Sequence, residues 1–130
     1  MAVKQVAAAI ARQGDRVLIT RRAPGQHLAG FWEFPGGKLE EGETVQTCIV
    51  RELREELGVG CLARDIIAES VHEYAGGAIN LIAISVDLTD TTFSLTVHDE
   101  AMFVTPSELL KMQLAPADIS IARQLAQSAS

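Results

Sequence analysis

Residues 37–59, GKLEEGETVQTCIVRELREELGV, combine a glycine-containing turn with one amphipathic helix. From Thr44 to Leu57, apolar residues recur every four positions, which places them on one stripe of a helix. The members of this stripe are Val45, Ile49, Leu53 and Leu57. Thr44 suits the N-cap position, and Gly58 suits the residue that follows the last turn. The stretch therefore predicts a helix over 44–57 with an apolar stripe facing a core.

One arc of this helix concentrates negative charge. Glu52, Glu55 and Glu56 lie at i, i+3 and i+4, so they share an arc of roughly 100°. The like-charge pair of Glu52 and Glu56 destabilises an isolated helix by about 0.2–0.5 kcal/mol. Arg51 can pair with Glu55, but a single arginine does not neutralise three acids, and Mg²⁺ takes carboxylate oxygens together with water and phosphate. Helix geometry alone leaves two interpretations open, a divalent-cation site and a solvated acidic face.

The flanking sequence predicts a mixed sheet with helices on it. Strands are predicted at 3–11 and 16–22 and at the short WEF segment 32–34, which ends in a tight, exposed turn at Pro35-Gly36-Gly37. Further strands are predicted at 66–74, 78–88 and 101–104, with a short helix from Pro106 and a final helix over 118–126. This order predicts an α/β (α+β) fold in one domain, 1–130.

Composition limits the classes of function. The 130 residues carry a formal net charge of −6 and 48% hydrophobic residues, a balance that favours a folded core and disfavours a nucleic-acid polymer as partner. The longest apolar run, Val6–Ala11, is too short for a membrane span or a secretory signal. Cys48 and Cys61 form neither a disulfide framework nor a CxxC metal motif. We therefore expect a cytoplasmic protein without a membrane partner.

The string from Gly37 to Val59 resembles the Nudix box at every fixed position. The matching residues are Gly37, Glu43, Arg51, Glu52, Leu53, Glu55, Glu56, Gly58 and Val59. Outside the box, TRR at 20–22, WEFPGGK at 32–38 and LAPAD at 114–118 are similar to segments of MutT-type members. The resemblance implies a Nudix α/β/α sandwich that hydrolyses a nucleoside diphosphate linked to another moiety, using Mg²⁺ or Mn²⁺.

The resemblance also implies roles for single residues. The implied metal ligands are the carboxylates of Glu52, Glu55 and Glu56, with the carbonyl of Gly37. Glu52 further resembles a base or water-orienting group, Arg51 the arginine that orients a glutamate, and Glu43 a supporting carboxylate. Glu100 resembles an additional acidic position that binds metal or acts as base. Cys48 lies on the same helical arc, and we expect it to be a packing residue because Mg²⁺ disfavours thiolate ligands.

Cations outside the box are candidates for contacts to phosphate. By resemblance Arg22 and Lys38 are the better candidates and Arg21 follows, while a plain surface charge is the alternative for each. Lys38, which directly follows the first glycine of the box, is also a candidate catalytic residue. The histidines share no common spacing, and we expect ordinary surface or loop residues at His27, His72 and His98.

Asp118, in LAPAD, resembles the position from which MutT-type members contact the base. An ionised aspartate only accepts hydrogen bonds, which suits the N–H groups of cytosine or 8-oxoguanine. The alternative is an N-cap role for Asp118 at the last helix. Phe34, with His27 or Leu28, is a candidate wall for base stacking, and core packing is an equal alternative for Phe34.

Three functional interpretations follow. The first is a MutT-like, Mg²⁺-dependent pyrophosphohydrolase that converts a (d)NTP to (d)NMP and pyrophosphate and clears 8-oxo-dGTP or another damaged nucleotide. The second keeps the same site and changes the substrate to CTP, dCTP or 5-methyl-dCTP. The third is a non-catalytic ligand-binding module of the Nudix fold, which the intact box disfavours. In each case the partner is a small nucleotide, and the protein is a monomer or a homodimer.

Overall fold

The computed structural model describes residues 2–128, which form seven strands and three α-helices. The strands are β1 (Val3–Gln13), β2 (Arg16–Arg22), β3 (Trp32–Glu33), β4 (Gly36–Lys38), β5 (Cys61–Tyr74), β6 (Gly77–Leu88) and β7 (His98–Val104). The helices are α1 (Val45–Leu57), α2 (Pro106–Leu109) and α3 (Ile119–Ser128), and a 3₁₀ turn, Pro116–Asp118, precedes α3. Within this part of the chain, no helix has the length and apolarity that a membrane crossing needs.

The sheet is mixed, as the sequence predicts. Its main path runs β3-β2-β1-β6-β5, with β4 added to β1 and β7 added to β2. β1 and β6 are parallel, and every other pair is antiparallel. Only two residue pairs join β1 to β2, next to the hairpin turn. Nearer the N-terminal end of β1, the residues Val6, Ala7 and Ala8 pair with β4 instead. Strand β4, which contains Gly37 of the box, thus occupies the place beside β1 that β2 leaves.

Helices cover both faces of β1, which gives the predicted sandwich. Because successive strand residues point to opposite faces, Ala7, Ala9 and Ala11 share one face. They pack in a buried cluster with the apolar stripe of α1, while Ala8 and Ile10 pack on the other face with residues of α3. Both helices are therefore fixed to the sheet by buried apolar side chains, of which each fully buried Leu or Ile contributes about 1.5–3 kcal/mol.

Helix α1 has the caps that its sequence predicts. The Thr44 side chain accepts from the Thr47 backbone N–H, and the Thr47 hydroxyl accepts from the Thr44 N–H in return. At the other end, Gly58 adopts φ 68°, a left-handed conformation that glycine takes readily. Cys48 is fully buried in the cluster between α1 and the sheet, so its predicted packing role is confirmed.

Two local expectations are wrong. Gly36 and Gly37, predicted to form an exposed turn with Pro35, lie half-buried in strand β4 against β1. Strand β4 approaches so closely that a Cβ on Gly36 would lie 2.0 Å from the Ala7 carbonyl oxygen, so only glycine fits there. The last helix begins at Ile119, because Pro116 starts a 3₁₀ turn that contains Asp118.

Candidate active site

Arg51 is the centre of a polar network on α1. Its Nε and Nη2 donate to both carboxylate oxygens of Glu43, at 2.7 and 2.9 Å. Its Nη1 donates to Glu52 at 2.8 Å and to Glu55 at 3.2 Å. The paired hydrogen bonds from Arg51 lower the pKa of Glu43 to about 2 and raise the pKa of Arg51 above its usual range. One guanidinium thus ties the loop before α1 to two carboxylates on the helix.

Glu52 lies against the backbone of Gly37. A Cβ added to Gly37 would stand 2.5 Å from the Glu52 carboxyl carbon, so this contact requires glycine. Burial raises the pKa of Glu52, and the hydrogen bond from Arg51 opposes that rise. The Cys48 thiol donates to the Gly37 carbonyl at 3.5 Å, and burial raises the pKa of that thiol to about 11. The thiol is therefore protonated at neutral pH.

Glu56 carries a buried oxygen without a protein partner. Among the described residues, nothing hydrogen-bonds to its Oε1. Burial raises the pKa of Glu56 to about 8, and the charges of Glu52 and Glu33 act in the same direction. A buried polar atom without a partner costs about 1–3 kcal/mol. The structure thus has a position where an added cation would satisfy an atom that the protein leaves unpaired.

The box glutamates do not converge on one point. Within residues 2–128, no three His, Cys, Asp or Glu side chains are grouped closely enough to share a metal ion. The guanidinium explains part of this, because its Nη1 is hydrogen-bonded to Glu52 and Glu55 at once. The carboxylates that it contacts, those of Glu43, Glu52 and Glu55, offer oxygen atoms, the ligand type that Mg²⁺ prefers.

A cavity of about 720 Å³ opens beside this network. Its volume lies in the range of small-molecule sites. Of the residues predicted to bind substrate, Arg22, Phe34 and Asp118 line the cavity, and Gly37 of the box lines it too. His27 and Leu28, proposed from sequence as part of an apolar wall, are also lining residues. Sequence reasoning missed the other polar members of the lining, which are Lys4, Glu33, His72 and Tyr74.

Asp118 is buried at the wall of the cavity. Its Oδ2 accepts from the backbone N–H of Phe34 at 2.9 Å, so its hydrogen bond goes to the β3 side of the site and not to α3 as the N-cap alternative requires. Burial raises the pKa of Asp118 to about 8. The expectation of an ionised, acceptor-only side chain is therefore wrong, since a protonated carboxyl both donates and accepts.

Backbone hydrogen bonds dock the LAPAD segment beside β3. The Trp32 N–H donates to the Gln113 carbonyl and the Ala115 N–H donates to the Trp32 carbonyl, both at 2.8 Å. The chain then turns at Pro116, and the Asp118 carboxyl reaches the backbone N–H of Phe34. Residues 115–118 therefore form one wall of the cavity.

A half-buried ion pair between Arg22 and Glu33 forms another wall, with the buried His98 behind it. Glu33 Oε2 accepts from Arg22 Nη1 at 2.8 Å, and His98 Nε2 lies 2.8 Å from the same oxygen. The His98 side chain has no exposed surface, so the expectation of an ordinary surface or loop histidine is wrong at this position. Strand β7 places it there by pairing His98 with Arg22 of β2.

Apart from the Arg51 network and Glu56, three predicted site residues lie outside the cavity lining. Arg21 donates to Asp99 at 2.8 Å, approaches Glu100 to 3.3 Å and stacks over the Trp32 ring. The Lys38 side chain is exposed, and its carbonyl accepts from Arg51 at 3.3 Å. The structure thus brings Arg22, Phe34 and Asp118 together and leaves Arg21, Lys38 and Glu100 apart from them.

The missed residues depend on pairings between distant segments. The Glu33 carboxylate contacts the His98 ring, which is 65 positions away in the chain. Lys4 and His72 reach the same cavity because both pair with Ile79 of β6, one from each side. Strand register of this kind has no signal in a single sequence.

Comparison with known proteins identifies the family of the chain. A family profile described as NUDIX domain matches residues 1–125. The chain is 36% identical over 121 residues to the CTP pyrophosphohydrolase of Escherichia coli K12, covering 93% of this chain and 90% of that protein. It is 50% identical over 56 residues to the 8-oxo-dGTP diphosphatase of the same organism, covering 42% and 43% of the two chains. The solution structure of the E. coli ORF135 protein superposes with a TM-score of 0.84 at 34% identity, covering 98% of this chain and 91% of that one.

Proposed function

The chain belongs to the NUDIX family, and from that premise we propose that it hydrolyses nucleoside triphosphates to nucleoside monophosphates and pyrophosphate. The observation that carries the proposal is the Arg51 network beside a nucleotide-sized cavity. The network supplies carboxylates held in fixed positions, and the cavity supplies Arg22, Phe34 and Asp118 around a bound ligand. The names of the two E. coli relatives support nucleotides as the substrate class.

Members of this family generally use divalent metal ions. The residues of this chain fit such an ion, because Glu56 Oε1 is buried without a partner among the described residues and the box supplies further carboxylate oxygens on Glu52 and Glu55. We propose that Glu52, Glu55, Glu56 and the Gly37 carbonyl hold Mg²⁺, with Mn²⁺ as the alternative. A bound divalent ion neutralises developing charge on the phosphates and lowers the pKa of a bound water.

The chain's own side chains have separate tasks in this proposal. Arg51 fixes Glu52 and Glu43, so that Glu52 keeps one orientation as the base or water-orienting group. Arg22 projects from the end of β2 into the cavity and contacts phosphate. Lys38 and Arg21 are secondary phosphate contacts, and Glu100 is a further acidic group that takes part once Arg21 releases it. No covalent intermediate is required.

The base is recognised by Phe34 and Asp118. Phe34, which packs in the buried core as its core-packing alternative expected and also lines the cavity, provides an apolar contact, and Asp118, which accepts from the Phe34 N–H, provides hydrogen bonds. Our first candidate substrate is 8-oxo-dGTP or another damaged nucleotide, which makes the protein a nucleotide-pool sanitation enzyme. The second is CTP, dCTP or 5-methyl-dCTP, and the relative named CTP pyrophosphohydrolase, which matches 93% of this chain, supports it.

We further propose that the protein acts in the cytoplasm on free nucleotides, as a monomer or a homodimer. The two cysteines support a reducing compartment, since neither forms a disulfide in the described residues. The net charge of −6 supports a small ligand over a nucleic-acid polymer.

A panel of canonical, oxidised and methylated nucleoside triphosphates tests the proposal. The purified protein is incubated with each member, with and without Mg²⁺, and NMP, NDP, phosphate and pyrophosphate are separated and quantified. We expect metal-dependent release of NMP and pyrophosphate, and the highest kcat/KM identifies the base. Release of NDP and phosphate, or no turnover of any member, would contradict the proposed reaction.

Arg51→Lys tests the network itself, with Arg64→Lys as the matched control. Lysine keeps the charge of Arg51 but loses the paired geometry that holds Glu43 and Glu52. Arg64 also pairs with one acid, Asp87, but does so on the exposed strand β5, away from the cavity lining. We expect kcat to fall at least about a hundredfold in Arg51→Lys, since misplaced catalytic groups cost that much, and to stay near the parent value in Arg64→Lys.

A further inference from the structure

His98 is a polar residue enclosed behind the cavity. Its side chain has no exposed surface, and Nε2 lies 2.8 Å from Glu33 Oε2. The other ring nitrogen, Nδ1, is buried without a hydrogen-bond partner among the described residues. With the ring proton on Nε2, the histidine donates to Glu33 and leaves Nδ1 as an unpaired acceptor.

The unpaired nitrogen argues against packing as the reason for a histidine at this position. A buried acceptor without a partner destabilises the folded state, and an apolar side chain of similar size avoids that loss. The ring contributes one polar contact in return, the hydrogen bond to Glu33. The cost of the unpaired Nδ1 offsets the gain from the hydrogen bond to Glu33. We therefore expect that hydrogen bond to contribute to the function of the site and not to the stability of the fold.

Strand geometry aims His98 and Arg22 at the same oxygen. The two residues are paired across β7 and β2, and the register of this pairing shifts between Arg21 and Arg22. Such irregularities re-aim side chains near functional sites. Arg22 Nη1 donates to Glu33 Oε2 at 2.8 Å, so this oxygen has two partners.

Glu33 and Arg22 line the cavity, whereas His98 lies behind Glu33 and is not part of the lining. The backbone of Glu33 is also fixed, because the buried Thr20 hydroxyl donates to its carbonyl at 2.9 Å. Both side-chain contacts use Oε2, which leaves Oε1 to accept from a ligand. The Glu33 charge contributes to the raised pKa of both Glu56 and Asp118.

We propose that His98 is a positioning residue for substrate binding. It holds the Glu33 carboxylate in one orientation, and Glu33 accepts a hydrogen bond from an N–H or O–H donor of the nucleotide. The inference rests on the proposed function, because it requires a nucleotide in the cavity.

A double-mutant cycle tests this role. The variants are His98→Leu, His98→Gln, Glu33→Ala and the double variant His98→Leu/Glu33→Ala. Calorimetry with Mg²⁺ measures the Kd of CMP and 8-oxo-dGMP, and the tighter ligand is used throughout. We expect His98→Leu to raise the Kd roughly tenfold, the loss of about one hydrogen bond to a charged group. His98→Gln should recover most of the affinity, because its amide also donates to Glu33.

The double variant separates positioning from packing. If His98 acts through Glu33, adding His98→Leu to Glu33→Ala changes the Kd no further. With the triphosphate, KM should rise in His98→Leu while kcat and Tm stay near the parent values. Additive effects, or a joint fall of kcat and Tm with unchanged KM, would overturn the role. If His98→Leu does not fold, His98→Asn, whose shorter amide does not reach Glu33, takes its place in the cycle.

The same measurements identify which group of the nucleotide donates to Glu33. They also show whether a negative result contradicts this inference alone or the proposed function as well. An effect of Glu33→Ala that disappears with the 2′,3′-dideoxy form of the nucleotide assigns the donor to the sugar, and one that persists assigns it to the base. Binding by the parent with an additive cycle overturns only this inference. Absence of binding by the parent overturns the proposed function and this inference together.

Discussion

Replacing Glu56 with glutamine should make the metal-free protein more stable and the enzyme inactive. Burial first, and then the charges of Glu52 and Glu33, raise the pKa of Glu56 from 4.5 to about 8. Above pH 4.5 the unfolded chain releases this proton while the folded protein keeps it, so stability falls as pH rises until about pH 8. At pH 7 the accumulated loss is about 3 kcal/mol, and Glu56→Gln avoids it because glutamine does not ionise.

Urea unfolding in EDTA measures this difference through the fluorescence of Trp32, the single tryptophan. We expect parent and Glu56→Gln to be nearly equal at pH 4 and to diverge by up to about 3 kcal/mol at pH 7. Added Mg²⁺ should stabilise the parent more than the variant, and kcat/KM of the variant should fall at least about a hundredfold. Glu69→Gln, an exposed change on β5, is the matched control and should follow the parent. Parallel stability curves for parent and Glu56→Gln between pH 5 and 8 would refute the reasoning.

Two further predictions concern the contacts around the cavity. Gly37→Ala places a methyl group 2.5 Å from the Glu52 carboxyl carbon, so Glu52 must move; we expect kcat to fall at least about tenfold with a smaller change in KM, and steady-state kinetics with an unchanged kcat would contradict this. Asp118 loses its proton near pH 8, so the ratio of kcat/KM for 8-oxo-dGTP and CTP should change between pH 7 and 9 in the parent but not in Asp118→Asn. A parent ratio that is constant over this range would remove Asp118 from base recognition.

Helix α1 was predictable because its determinants are local. The four-residue spacing from Val45 to Leu57 and the caps at Thr44 and Gly58 all lie within one segment, and the structure reproduces them. The network on Arg51 was partly predictable for the same reason, since Glu55 lies one turn away. The bidentate contact of Arg51 with Glu43 required the fold of the preceding loop, which no helix geometry specifies.

Strand β4 and His98 show where prediction from the sequence stops. Gly36–Lys38 has the composition of a turn and becomes a strand only because Val6, Ala7 and Ala8 of β1 pair with it. His98 stands in an irregular stretch of sequence, and its burial follows from the pairing of β7 with β2. The ionisation of Asp118 was predicted wrongly because its burial depends on docking of residues 114–118 beside β3.

The hydrogen bond between Phe34 and Asp118 joins residues that are 84 positions apart, and this spacing has a consequence for biosynthesis. At about 5–20 residues per second, a ribosome adds the second residue roughly 4–17 s after the first. A nascent chain that has emerged as far as β7 therefore carries the acids of α1 but lacks one wall of the cavity. The proposed base wall is therefore completed only after the proposed metal-binding carboxylates of α1 have been synthesised.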